Sequence, residues 1–286
     1  MSDVRARRFT TVDVFTSVPL RGNPVAVVLD AEDLDAAAMQ RIAAWTNLSE
    51  TTFVLPPTAA GASYRLRIFT PRSELAFAGH PTIGSAHAVL AAGVAAPRDG
   101  RLHQECRAGV LPIRVDGDRL MVRVPDPTVR PETVADAQTL GDMVGAPIAG
   151  APRAVDCGPV WLVEEIADEA ALRRAVPDLS AVERLSHAHA LTGVTLFARS
   201  DDAETPIVVR SFAPASGIAE DPVCGSGNAS VAAYLIALGR APARYRASQG
   251  REVGRDGCVE VEIGAGGRSI EIGGVAVTVV EGLLRI

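Results

Sequence analysis

Polar and apolar residues alternate along Tyr64-Arg65-Leu66-Arg67-Ile68-Phe69, which places Tyr64, Leu66 and Ile68 on one face of a strand. Residues 23–30 are almost continuously apolar, the pattern of a buried strand. Residues 110–115 and 120–124 flank the turn signal Asp116-Gly117-Asp118 and predict a hairpin. Helical signals are fewer. Residues 31–45 are Ala-rich with acidic residues in the first turn, and residues 82–92 and 228–238 are dense in Ala, Val and Leu. The mixture predicts an α+β chain. The last two helices are apolar nearly all round, so each must be enclosed by other elements.

The pattern repeats. Gly22-Asn23-Pro24-Val25-Ala26-Val27-Val28 parallels Cys157-Gly158-Pro159-Val160-Trp161-Leu162-Val163, each followed by an acidic, Ala-rich helical segment. Arg67-Ile68-Phe69-Thr70-Pro71 then parallels Arg210-Ser211-Phe212-Ala213-Pro214, and Ala78-Gly79-His80-Pro81 parallels Cys224-Gly225-Ser226-Gly227. Gly93 and Gly239 fall together as helix-ending glycines. The shared order points to a duplication, which divides the chain into residues 1–125 and 126–286 at the interruption Pro125-Asp126-Pro127, with part of the C-terminal segment able to pack on the first half.

Bulk properties narrow the function classes. With 28 basic against 34 acidic residues the net charge is −6, and the only basic group is Arg5, Arg7 and Arg8, so nucleic acid is not an expected partner. After that group the chain alternates instead of forming an apolar signal core. The longest apolar stretch, residues 82–96, is broken by Gly84, Ser85, His87 and Gly93 and falls short of the ~20 residues that span a bilayer. No membrane association is expected. Cys106, Cys157, Cys224 and Cys258 lie far apart with no metal-ligand spacing, which suggests neither a zinc site nor a disulfide framework and fits a reduced cytoplasmic setting. His87 reads as an interior residue of a helix, and His187 and His189 fall in a loop-like stretch. The chain has no phosphate-loop or dinucleotide fingerprint, so no cofactor and no metal are implied.

Two helix starts are opened by glycine, near Gly79-His80-Pro81-Thr82 and near Gly225-Ser226-Gly227-Asn228. A helix N-terminus offers backbone N–H groups and a partial positive charge, which suits a carboxylate or a developing oxyanion. Two such ends at equivalent places of a repeat, facing one cleft, could hold a small anionic metabolite. Each one alone could equally be a capped structural helix.

The motifs Gly22-Asn23-Pro24, Asn47-Leu48-Ser49-Glu50-Thr51-Thr52-Phe53, Phe69-Thr70-Pro71, Phe77-Ala78-Gly79-His80-Pro81-Thr82-Ile83-Gly84, Glu220-Asp221-Pro222-Val223-Cys224-Gly225-Ser226-Gly227 and Ser248-Gln249-Gly250 resemble, in that order, those of the PhzF family of phenazine-biosynthesis isomerases. The resemblance covers essentially the whole chain. It implies the diaminopimelate-epimerase-like fold, two homologous domains each with a β-barrel-like sheet around a central helix, with the site between them. It also implies a cofactor-independent isomerase, commonly a homodimer, that shuttles a proton by acid/base catalysis.

Residue by residue, Glu50 matches the family's catalytic glutamate, although by itself it reads as a surface residue opening a strand. His80 matches a site histidine, with helix capping as the alternative. Asp221 matches a polar partner in proton handling, or a turn residue before Pro222. Ser226 matches a hydroxyl donor to substrate, or a helix cap. Asn23, Gly79, Gly225 and Gly227 complete the substrate-binding set, the glycines by close backbone approach. Cys224 stands where related epimerases carry a cysteine acid/base. The partner position is Ala78, so a two-thiol mechanism is incomplete and the thiol is the disfavoured catalytic candidate. A cysteine-dependent epimerase and a non-catalytic binding protein are the alternative functions. The segment Gly254-Arg255-Asp256-Gly257-Cys258 departs from the family's Arg-Pro-Ser sequence.

Overall fold

The computed structural model describes residues 4–131 and 134–286, and the chain divides into two units, Met1–Arg123 with Gly273–Ile286 and Val124–Ile272. In the first unit the elements run β1 (Ala6–Val14), β2 (Asn23–Val28), α1 (Ala36–Thr46), β3 (Thr51–Leu55), β4 (Tyr64–Phe69), β5 (Glu74–Leu75), α2 (Gly79–Ala91), β6 (Arg101–Cys106), β7 (Gly109–Asp116) and β8 (Arg119–Arg123). The hairpin expected around Gly117 is β7–β8, with Asp116 paired to Arg119 and Gly117 at a φ of 62°. Tyr64, Leu66 and Ile68 are all buried, as the alternation requires.

The first helix begins at Ala36, not near residue 31. The Asp35 carboxylate accepts from Ala38 N at 2.7 Å and sets the start, while the stretch before it turns back on itself through Leu34 N–H donating to Ala31 O and a φ of 67° at Asp33. The helix stops at Asn47, which is left-handed at φ 55°.

The second unit contains β9 (Thr128–Val129), α3 (Ala137–Val144), β10 (Arg153–Asp156), β11 (Val160–Glu165), α4 (Glu169–Arg174), α5 (Leu179–His189), β12 (Gly193–Arg199), β13 (Ile207–Ala213), β14 (Ile218–Asp221), α6 (Gly225–Ala237), β15 (Arg244–Gln249), β16 (Gly257–Ile263) and the first three residues of β17 (Ile270–Gly274). His187 and His189 lie on α5 and not in a loop, because Asp178 caps that helix by accepting from Ala181 N at 3.0 Å. The last strand, β18 (Ala276–Arg285), pairs antiparallel with β1 and belongs to the first unit.

The two units pair their strands in the same order. In the first, β1–β2 is antiparallel, β2–β3 parallel, β3–β4 and β4–β5 antiparallel, β4–β6 parallel and β6–β7 antiparallel. In the second, β10–β11, β11–β12, β12–β13, β13–β14, β13–β15 and β15–β16 follow the identical succession. The crossover from β2 to β3 carries α1, and its counterpart carries both α4 and α5.

Side-chain chemistry repeats with the strands. The Arg67 guanidinium grips Glu74 with bonds of 2.7 and 2.9 Å and lies 5.1 Å over the Phe69 ring. Arg210 does the same to Glu220 at 2.9 and 2.8 Å and to Phe212 at 5.0 Å. A short turn, Pro214–Ser216, accounts for the longer connection in the second unit. The repeated Arg-x-Phe therefore marks a two-strand clamp that holds β5 or β14, and so the entry to the following helix, against its neighbouring strand.

That following helix has the same length, 13 residues, in both units. In each it is packed on several sides by strands: α2 by β1, β2, β3, β8 and β18, and α6 by β9 to β13 and β16. Burial on all faces explains why neither helix shows an amphipathic stripe. Both begin one turn earlier than residues 82 and 228, at Gly79 and Gly225. An α-helix makes no use of the N–H at its third position, so Pro81 fits inside the first turn, after Ala78 in an extended conformation.

Candidate functional site

The residues singled out by sequence gather, in each unit, at the start of its enclosed helix. In the first unit, Glu50 occupies the single position between the turn that follows α1 and strand β3, and its backbone carbonyl accepts from Ala26 N at 3.4 Å. That anchor directs the side chain to the start of α2, where His80 Nε2 lies 3.4 Å from Glu50 Oε2. The two side chains retain only 14% and 9% of their exposure. Burial raises the Glu50 pKa to about 7, with a hydrogen bond from Ser49 pulling the other way. A carboxyl poised there exchanges protons readily near neutral pH, which an ordinary surface glutamate does not.

Asn23, buried as the first residue of β2, pairs with Val14 of β1. The glycine before it is required by space: a Cβ on Gly22 would lie 2.3 Å from Val14 O.

In the second unit, Cys224 caps α6. Its Sγ accepts from Gly227 N at 3.3 Å, and its own N–H donates to Gln249 Oε1 at 3.1 Å. Burial, with the Asp221 charge second, raises the thiol well above its usual pKa. A protonated thiol with a structural bond is a poor base, and the structure gives Cys224 a capping part. Asp221 Oδ1 accepts from Val223 N at 3.1 Å, so the aspartate does perform the turn-forming function. Ser226 Oγ accepts from Trp161 Nε1 at 3.0 Å. Gly227 has no room for a side chain, since a Cβ would stand 2.5 Å from Ser211 Oγ and 2.9 Å from Thr195 Oγ1.

The two helix starts are matched at the backbone. At the third helix position neither unit has a donor to spare: Pro81 has no N–H, and the Gly227 N–H goes to Cys224 Sγ. His80 and Ser226 thus hold the same place in the repeat, the second residue of the helix. Glu50 has no such counterpart. Thr51 pairs with Phe69 and Val194 with Phe212, which sets Gly193 at the place of Glu50, and a Cβ on Gly193 would fall 2.0 Å from Phe212 O. Steric exclusion therefore leaves the second unit without a carboxyl at the position that Glu50 fills in the first.

Two contributors were not singled out by sequence. Gln249 ties the loop before α6 together, accepting from Cys224 N and from Asn228 Nδ2 at 3.0 Å and donating Nε2 to Asp221 O at 3.0 Å. Trp161 reads as an apolar strand position, and nothing in its neighbourhood along the chain signals the partner of its N–H.

A chain of two repeated units, each a strand layer around an enclosed helix with glycine at its start, defines a protein of the diaminopimelate-epimerase-like class. Residues 12–282 match the model of the PhzC-PhzF family, described as phenazine biosynthesis-like protein. The chain belongs to that family and is an isomerase homologue. It is 34% identical to trans-2,3-dihydro-3-hydroxyanthranilate isomerase of Pseudomonas aeruginosa, over 96% of this chain and 98% of that one. It is 36% identical to antisense-enhancing sequence 1 of Schizosaccharomyces pombe, over 96% and 97% respectively. Among solved structures it matches a PhzF-family phenazine biosynthesis protein of Bacillus anthracis at a TM-score of 0.86 and 25% identity, covering 99% of this chain and 100% of that one. A probable proline racemase of Agrobacterium radiobacter shares the fold at a TM-score of 0.66 and 16% identity, over 98% and 92%. No helix among the described residues is long and apolar enough to cross a membrane.

Proposed function

We propose that this protein is a cofactor-independent isomerase that moves a hydrogen within a small carboxylated metabolite of the dihydro-hydroxyanthranilate type. Glu50 removes a proton from carbon, the electron pair shifts through the adjoining double bond, and a proton is returned at the far carbon. Substrate and product have the same atoms and oxidation state, so the chemistry calls for no redox partner. His80 hydrogen-bonds or relays at Glu50, Asp221 assists proton handling, and Asn23, Gly79, Gly225, Ser226 and Gly227 bind the substrate, with backbone N–H groups taking its carboxylate.

The observation that supports this reading most is the Glu50 carboxyl with its pKa near 7, 3.4 Å from His80. The alternative of a cysteine-dependent epimerase is disfavoured by the capping bond and raised pKa of Cys224. We take the enzyme to be a homodimer in the cytoplasm, as the family resemblance implies.

The test is incubation of the purified protein with trans-2,3-dihydro-3-hydroxyanthranilate in deuterium oxide. The expected result is an isomeric product with solvent deuterium at the newly protonated carbon. Unchanged substrate without label would overturn the reading, and label confined to the original carbon with inverted configuration would favour the epimerase.

A further inference from the structure

Trp161 is the second residue of the buried strand β11 and is 2% exposed. Its indole N–H has one bond, to Ser226 Oγ at 3.0 Å, and an indole can only donate. A hydroxyl has one proton and two lone pairs, so this bond commits the Ser226 oxygen to accepting from the protein side. Reversal would leave the indole N–H buried without a partner, which costs more than the bond itself is worth. The other polar neighbour, Cys224 Sγ, lies 3.5 Å from Ser226 Oγ and is a weak acceptor that already receives the Gly227 N–H. Trp161, Cys224 and Gly227 are buried whereas Ser226 is partly exposed, so the side of Ser226 away from the indole is the side open to a ligand.

We propose that Trp161 is a positioning residue that holds Ser226 as a hydrogen-bond donor and thereby selects an anionic oxygen, a carboxylate, over an isosteric amide. A carboxylate accepts that proton in a charge-assisted bond, roughly twice as strong as the bond accepted by the neutral oxygen of a carboxamide. The inference rests on the reading of Ser226 as a substrate-binding residue under the proposed function. It concerns the second unit alone. By strand register Ala26 pairs with Thr51 as Leu162 does with Val194, so the counterpart of Trp161 is Val25, which has no polar group, and His80 at the counterpart of Ser226 neighbours Glu50 instead.

The probe pair is anthranilate and 2-aminobenzamide, which differ only in carboxylate against carboxamide, with affinities measured by calorimetry. The parent should prefer anthranilate. Trp161→Phe should narrow that preference by about 2- to 12-fold, the worth of one net hydrogen bond. Ser226→Ala should narrow it by as much, and the double variant no further.

If Ser226→Ala narrows the preference and folded Trp161→Phe keeps it, the inference fails while Ser226 stays a binding residue. If Ser226→Ala changes nothing, or the parent does not bind anthranilate, the reading of Ser226 fails with it. A measurement on the parent covers a Phe variant that does not fold. The chain has 2 tryptophans, and Trp45 is 76% exposed. In an amide nitrogen–proton spectrum the Trp161 indole signal should shift on anthranilate titration while the Trp45 signal stays. A Trp161 signal unmoved at saturation would overturn the inference.

Discussion

His80 Nε2 and Glu50 Oε2 lie 3.4 Å apart although one belongs to the first turn of α2 and the other to the loop that enters β3. The contact places a near-neutral carboxyl beside an imidazole and both beside the N–H groups of a helix start. Removing the basic oxygen tests the pair directly. Glu50→Gln keeps the shape and most of the hydrogen bonding but cannot accept a proton from carbon, so turnover per folded molecule should fall by ~10²- to 10⁴-fold with ligand affinity largely kept. Parent-like turnover would remove Glu50 from the mechanism and leave Asp221 or His80 as the base.

The pH profile follows from the same carboxyl. A base must be ionised in the free enzyme, and burial raises Glu50 to about 7. A plot of kcat/KM should therefore rise with pH through an apparent pKa near 7 and level off above it. A limb near the usual carboxylate range of ~4 to 4.5 would show that the working group is not Glu50 in this environment.

A second buried carboxyl lies outside the candidate site and controls stability. Glu164 on β11 is 0% exposed, and burial raises its pKa to about 7; its Oε1 accepts from Gly150 N at 3.2 Å and from Glu165 N at 2.9 Å. The titratable groups around it are Glu165, paired to Arg240, and the neutral phenol of Tyr234. Because the folded pKa is raised, the stabilisation is fully present below the unfolded value near 4.5 and is lost as pH rises through about 7. Glu164→Gln should gain stability relative to the parent by up to about 3 kcal/mol above pH 7 and little below pH 4.5. Denaturant melts at several pH values check this, and a difference independent of pH would contradict it.

The two arginine clamps should differ in strength for a reason of exposure. Arg210 and Glu220 retain 7% and 10% side-chain exposure, against 27% and 17% for Arg67 and Glu74. Arg210 Nη1 also donates to Leu172 O at 3.0 Å and Ala175 O at 2.8 Å, closing the end of α4. Arg210→Met strands a buried carboxylate and should cost about 3–5 kcal/mol, with Arg67→Met clearly less. Equal losses in urea melts of the two variants would show that burial does not set the difference.

By itself the sequence determined the strands, the repeat and the family. Period-two alternation in β4, the Asp-Gly-Asp turn of the β7–β8 hairpin and glycine-opened helices are local features, and local sterics suffice to specify them. The paired motifs in order along the chain exposed the duplication, and the resemblance picked out Glu50, His80, Asp221 and Ser226. The dense Ala, Val and Leu runs put the helix starts near residues 82 and 228, whereas the first turns begin at Gly79 and Gly225, before those runs, since a first turn does not use the N–H groups of its Gly and Pro. Tertiary structure decided the chemistry of those residues. Glu50 is followed by an ordinary strand in the sequence, and its pKa comes from side chains folded over it from other elements. The polarity of Ser226 is set by an indole on β11, and the missing second carboxyl by the backbone of Phe212 against Gly193. Burial and partner identity depend on contacts between residues distant along the chain, which local pattern does not encode.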